Sequence, residues 1–285
     1  MPELPEVQTI LIGLRAALEG RRIISTEVRN DLRWPVPDDL SIRADGKKIR
    51  SSSRLGKYMM IALVRGPTLL IHLGMSGRIR ITPQKRKRAS YTPMRHEHVT
   101  LTLDNGTSIG LVDPRRFGCF LIIDAGKERE HPLLRALGAD PLLPGFDASY
   151  LIEKLANKRS PIKTVLLDQR VVAGLGNIYV SEILFRARIN PERRAASLDP
   201  EEIARIAEVT PGVLEEAIGA GGSTCVTMWT QKAIRVRFRS CIRYMAVRGS
   251  LALHARVILP VTGSGVWCSQ AGRVSIVRDC NHHFL

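Results

Sequence analysis

The sequence predicts an α+β fold: an N-terminal helix, an antiparallel β-sandwich, and then a second, helical domain. Three observations predict it. Val7, Ile10, Leu11, Leu14 and Leu18 recur at helical spacing within residues 3–19. From 22 to 124 the pattern changes to short strand-like runs divided by tight turns, as in a sandwich. After a stretch rich in Gly, Pro and Asp at 125–150, helical periodicity returns. A chain of 285 residues can bury two cores.

The first helix has Pro5 in its first turn, Glu3 and Glu6 at its positive dipole end, and Gly20 as its stop. Met59 to Val64, Thr68 to Leu73 and Arg78 to Ile81 read as strands. Val99, Leu101 and Leu103 alternate with Thr100 and Thr102, and Asp104-Asn105-Gly106 turns the chain into Ser108 to Val112. Gln84-Lys85-Arg86-Lys87-Arg88 reads as a basic surface loop. Helices are expected at about 149–158, 161–170, 177–189 and 199–219, the last opening on Asp199-Pro200-Glu201-Glu202. The domains expected are 1–130, a linker at 131–150, 151–224, and a tail at 225–285.

The net charge is +16 and the pI about 10.3, which favours a polyanionic partner. No stretch reaches the length of a membrane span, and the N-terminus lacks a charged region followed by an apolar one, so a cytoplasmic protein is expected. Residues 225–285 hold nine Lys/Arg against the lone acidic Asp279, and four of the five cysteines: Cys225, Cys241, Cys268 and Cys280. They form no C-x-x-C pair, and in a reducing compartment they would not be disulfides.

The opening Met1-Pro2-Glu3-Leu4-Pro5-Glu6 has its own chemistry. Removal of Met1 would make Pro2 a terminal secondary amine, partly neutral near pH 7 and able to form an iminium with a sugar aldehyde carbon. Glu3, one peptide bond away, could move protons for that reaction. Alone, the hexapeptide reads as readily as a helix N-terminus. The chain also carries Leu55-Gly56-Lys57-Tyr58, His72-Leu73-Gly74-Met75-Ser76-Gly77, Asp113-Pro114-Arg115-Arg116-Phe117-Gly118 and Gly174-Leu175-Gly176-Asn177-Ile178-Tyr179. From Met1 to about Thr224 this set resembles the formamidopyrimidine-DNA glycosylase family, bifunctional repair enzymes of the Fpg/Nei type.

The resemblance implies that the helical domain is a helix–two-turns–helix, with Val171 to Gly176 as its turn. Gly174 and Gly176 would then leave backbone amides open to a phosphate at the next helix N-terminus. It implies Pro2 as the nucleophile at C1′ of a flipped nucleotide, Glu3 as acid/base, and Lys57 as the catalytic lysine. Met75, Arg115 and Phe117 would fill the gap left in the duplex, and His96, Arg159, Lys163 and Asn177 would contact DNA. The activity implied is removal of oxidised purines (formamidopyrimidine, 8-oxoguanine) followed by β-elimination at the abasic site. The partner implied is double-stranded DNA with oxidised bases or abasic sites, met by a monomer associated with the nucleoid. Leu4 favours the Fpg branch over a Nei-like enzyme for oxidised pyrimidines. A catalytically impaired DNA-binding remnant is the other alternative.

Beyond Thr224 the family pattern stops. Family members end in a four-cysteine zinc finger, which is not intact here, so no cofactor is expected. Codons can be chosen for 224–232 that, read in another frame, give Leu-Arg-Asp-Tyr-Val-Asp-Thr-Glu, a family-like continuation. The same shift over 246–255 permits a C-x-x-C, and over 271–279 the finger's other half. A change of reading frame near Thr224-Cys225 would explain the tail. A divergent zinc-free tail with Arg273 as its DNA-binding arginine is the alternative.

Overall fold

The computed structural model describes residues 1–83 and 91–222, together with the strands Val266–Gln270 and Arg273–Val277. The basic run at 84–88, and every expectation for the tail apart from those two strands, lie outside the described residues.

Helix α1 (Leu4–Leu18) packs Val7, Ile10, Leu11, Leu14 and Leu18 against the sandwich. The four-stranded sheets are antiparallel throughout. One contains β1 (Ile23–Val28), β5 (Arg78–Thr82), β6 (Glu97–Leu103) and β7 (Ser108–Val112), in the order β1-β6-β7-β5. The other contains β2 (Ile49–Leu55), β3 (Tyr58–Leu63), β4 (Thr68–His72) and β8 (Cys119–Ile123), in the order β2-β3-β4-β8. Their facing sides share one apolar core with α1 and the short α2 (Leu40–Ala44). Each fully buried aliphatic side chain there contributes about 1.5–3 kcal/mol relative to exposure.

Strands β1, β2 and β8 were not foreseen individually. Ile-Arg-Ser-Ser-Ser-Arg-Leu of β2 lacks β-branched apolar residues outside its first position, and β8 does not alternate. All five residues of β8 are buried because both faces are covered. Phe120 and Ile122 face the sandwich core, whereas Cys119, Leu121 and Ile123 join Leu70 and Leu134 in a second cluster outside it.

The expected linker at 131–150 is largely structured. It contains α3 (Pro132–Arg135), the buried Leu134 and Asp140, and a bridge between Ala139 and Val172. Helices α4 (Ala148–Leu155), α5 (Ile162–Leu167), α6 (Asn177–Arg186) and α7 (Pro200–Gly219) follow. Helix α5 ends at an extended Asp168, and beyond α6 the chain turns left-handed at Arg188, φ 57°. Helix α7 opens with reciprocal bonds: Asp199 accepts from the Glu202 amide at 2.8 Å, and Glu202 from the Asp199 amide at 3.0 Å. These helices share a core that includes one outsider, Leu4 of α1.

Strands β9 (Val266–Gln270) and β10 (Arg273–Val277) form an antiparallel hairpin with Arg273 opposite Gln270. Among the described residues, no helix is long and apolar enough to cross a membrane.

Candidate active site

The first residues of the chain are held by the helical domain. The Leu4 amide donates to the Gly174 carbonyl at 3.0 Å. Gly174 sits at φ 99°, and a Cβ there would lie 2.7 Å from the Leu4 side chain, so glycine is required on both counts. The Glu3 carboxylate accepts from the amides of Ile178 (3.0 Å) and Tyr179 (3.3 Å). These are orphan donors at the N-terminus of α6, whose dipole also favours a negative charge. Glu6 lies beneath, accepting from the Glu3 amide at 2.9 Å and from the Tyr179 hydroxyl at 2.7 Å. Pro2, half-buried, is therefore attached to a neighbour fixed at both its side chain and its backbone.

This arrangement narrows which amides at the α6 N-terminus could meet a phosphate. The Ile178 and Tyr179 amides are taken by Glu3, and the Gly174 amide donates to Gln169 Oε1 at 3.0 Å. A Cβ on Gly176 would lie 2.4 Å from the Glu3 carboxyl carbon, so that glycine makes room for Glu3. Asn177, the first residue of α6, remains exposed beside the site.

Lys57 reaches the same place from the tight turn between β2 and β3. It is 5% exposed, so it is not a surface lysine. Burial pulls its pKa below the usual range, while Glu3 and Glu6 pull it back up. Burial pushes the Glu3 carboxyl up, against the opposing pull of the Ile178 amide and Lys57. A carboxyl and an amine whose charged forms are both disfavoured by burial, and whose charges act on each other, suit proton exchange. The turn is held by Asp140, which takes a bidentate ion pair from Arg54 and accepts from the Gly56 amide at 2.7 Å. Arg54 also donates to the Gly56 carbonyl (2.8 Å) and to Gln8 of α1 (2.9 Å).

His72, the last residue of β4, was quoted in a motif but given no role. Burial foremost, then the Lys57 charge, lowers its pKa to about 4, so the ring is neutral. Its Nδ1 accepts from the Gly74 amide at 3.0 Å, and its ring packs on Tyr58 at 4.7 Å between centroids.

Met75, Arg115 and Phe117 come together through sheet topology. One crossover leads from β4 to β5, and the other from β7 to β8. Because β4 neighbours β8 and β5 neighbours β7, the two turns lie side by side. Met75 is 48% and Phe117 38% exposed, large apolar side chains turned to solvent rather than into the core. The Arg115 guanidinium stacks over the Phe117 ring at 4.7 Å, and that of Arg33 lies 5.9 Å from the ring centre. His96 is exposed at φ 65°, in the bend that enters β6. Arg159 is exposed just before α5, and Lys163 is half-buried on it.

Residues 1–120 match the family model described as the formamidopyrimidine-DNA glycosylase N-terminal domain, and residues 137–228 the one described as its H2TH domain. The formamidopyrimidine-DNA glycosylase of Gluconobacter oxydans is 48% identical over 225 residues, covering 79% of this chain and 80% of that protein. That of Roseobacter denitrificans is 45% identical, covering 79% and 81%. Among solved structures, the Lactococcus lactis Fpg complexed with abasic-site DNA superposes with a TM-score of 0.70 at 32% identity, covering 78% of this chain and 81% of that one. A MutM complexed with DNA containing carbocyclic 8-oxo-G gives 0.69 at 33% identity, covering 78% and 81%.

Proposed function

Since this chain belongs to the formamidopyrimidine-DNA glycosylase family, we propose that Pro2 is the nucleophile of a DNA glycosylase that removes oxidised purines from duplex DNA. The observation that carries this reading is the double anchoring of Glu3. It fixes the residue next to Pro2 against the buried Lys57 turn. With Met1 removed, the Pro2 nitrogen attacks C1′ of the flipped nucleotide. The bond from C1′ to the base breaks and the base leaves with a proton; the C1′–O4′ bond then breaks, O4′ takes a proton as the ring opens, and an iminium joins protein to sugar. Glu3 and Lys57 supply and take up the protons, the charged form of each disfavoured by burial. The iminium acidifies the C2′ proton, and its loss expels the 3′ phosphate and cuts the strand. Arg159, Lys163, Asn177 and His96 hold the backbone, and Met75, Arg115 and Phe117 fill the gap. The protein acts as a single chain on the duplex.

The family's zinc site does not fit the described hairpin of this tail. The hairpin registers Cys268 against Ser275, so it carries one thiol where a half-site needs two. The steps above use no metal, and metal analysis of the purified protein checks whether the tail binds zinc. Borohydride should trap the protein on abasic-site DNA, and Pro2→Gly should reduce trapping severely. Trapping through a lysine in the wild-type protein would overturn the assignment, and an absence of any trapping would favour a binding remnant.

A further inference from the structure

Asp113 follows the last residue of β7 and opens the turn that carries Arg115 and Phe117. It is fully buried, and its carboxylate is satisfied by hydroxyl and amide donors from two separate turns. Oδ1 accepts from the Ser76 hydroxyl at 2.6 Å, next to Met75, and from the Arg115 amide at 3.3 Å. Oδ2 accepts from the Gly118 amide at 2.8 Å, next to Phe117. The Ser76 oxygen in turn accepts from the Arg115 amide at 3.3 Å. The Asp113 backbone amide donates to the carbonyl of His96 at 2.9 Å. The two turns also touch directly: a Cβ on Gly74 would lie 2.5 Å from the Phe117 carbonyl carbon, and one on Gly118 would lie 2.6 Å from the His72 carbonyl oxygen.

A gap-filling device works only if its parts enter the duplex together. Three side chains on two independently mobile turns would each bring their own ordering cost to the encounter. A buried carboxylate with donors on both turns removes that freedom in advance. We propose that Asp113 is a positioning residue that clamps the Met75 turn to the Arg115–Phe117 turn, so that the three side chains insert as one rigid wedge. The proposal rests on the reading that these side chains fill the gap, and the test separates the two.

The quantity to measure is the ratio of kcat/KM for excision from a lesion-containing duplex to kcat/KM for cleavage of single-stranded abasic DNA, where no gap opens. Asn at 113 has one acceptor oxygen, and its amino group would face either the Gly118 amide or the Ser76–Arg115 pair. Asp113→Asn should lower the ratio about tenfold, the consequence of losing a bond to a charged acceptor and opposing two donors. Ser76→Ala should lower it about threefold, and Ser76→Thr, which restores the hydroxyl, should return it to the wild-type value. Equal losses on both substrates, or an unchanged ratio in Asp113→Asn and Ser76→Ala while Met75→Ala lowers it, would overturn the clamp. An unchanged ratio in Met75→Ala would instead overturn the gap-filling reading itself. Should Asp113→Asn fail to fold, the two Ser76 variants decide alone.

Discussion

Glu3 is the residue through which the site is assembled. It ties the chain's start to α6 by its side chain and to Glu6 by its amide. Gly176 is the negative of that contact: its φ of −142° suits any residue, yet the space for a Cβ is filled by Glu3. Gly176→Ala should therefore misplace Glu3 without straining the backbone. Because displacements near 1 Å cost on the order of 100-fold in rate, borohydride trapping should slow at least tenfold while DNA affinity changes much less. Single-turnover trapping alongside a binding isotherm checks this, and parallel losses in both would show that Gly176 serves only the packing of α6. Pro2 and Glu3 were legible as residue types with a chemistry, and Lys57 only through the family resemblance. Lys57's burial was not, because the turn between β2 and β3 reads as polar. The partners that hold its turn at Gly56 are Asp140 and the Ala173–Gly174 segment, both remote in sequence.

At the scale of elements, helices with caps and long apolar faces were legible: α1 and α7 lie within a residue or so of expectation. Strands whose burial comes from an unseen neighbour were not. β8 is covered on its outer face by a cluster that includes Leu134, which lies in the stretch taken for a linker. That stretch earned its misreading through Gly and Pro content, yet Asp140 within it makes the buried ion pair that fixes the Lys57 turn. Breaking one partner of a buried pair strands the other charge, at about 3 kcal/mol or more. Asp140→Asn is thus expected to lower stability by about 3 kcal/mol in denaturant unfolding. A loss below about 1 kcal/mol would mean that Arg54 finds solvent or another acceptor.

For the whole molecule, the buried ionisable groups set a dependence on acidity. The His72 pKa falls from 6.5 in the unfolded chain to about 4 when folded, so between these values the unfolded state binds the extra proton. Stability from this group is present in full above 6.5 and is lost as pH falls toward 4. Glu3 acts oppositely: its raised pKa means that the folded state holds a proton longer, so its share declines as pH rises above 4.5. Melting temperature should fall between pH 6.5 and 4.5, and His72→Gln, which keeps an acceptor for the Gly74 amide, should flatten that fall. An equally steep fall in the variant would assign the acid sensitivity to another group.

The bond from the Ile178 amide to Glu3 spans 175 residues of chain. On a ribosome the sandwich is complete long before α6 emerges, and until then the first residues have nothing to hold them. The proposed nucleophile is thus armed only after the domain proposed to grip DNA has been made and folded. Order of synthesis becomes a safety interval, during which a half-made protein has no assembled site with which to cut DNA.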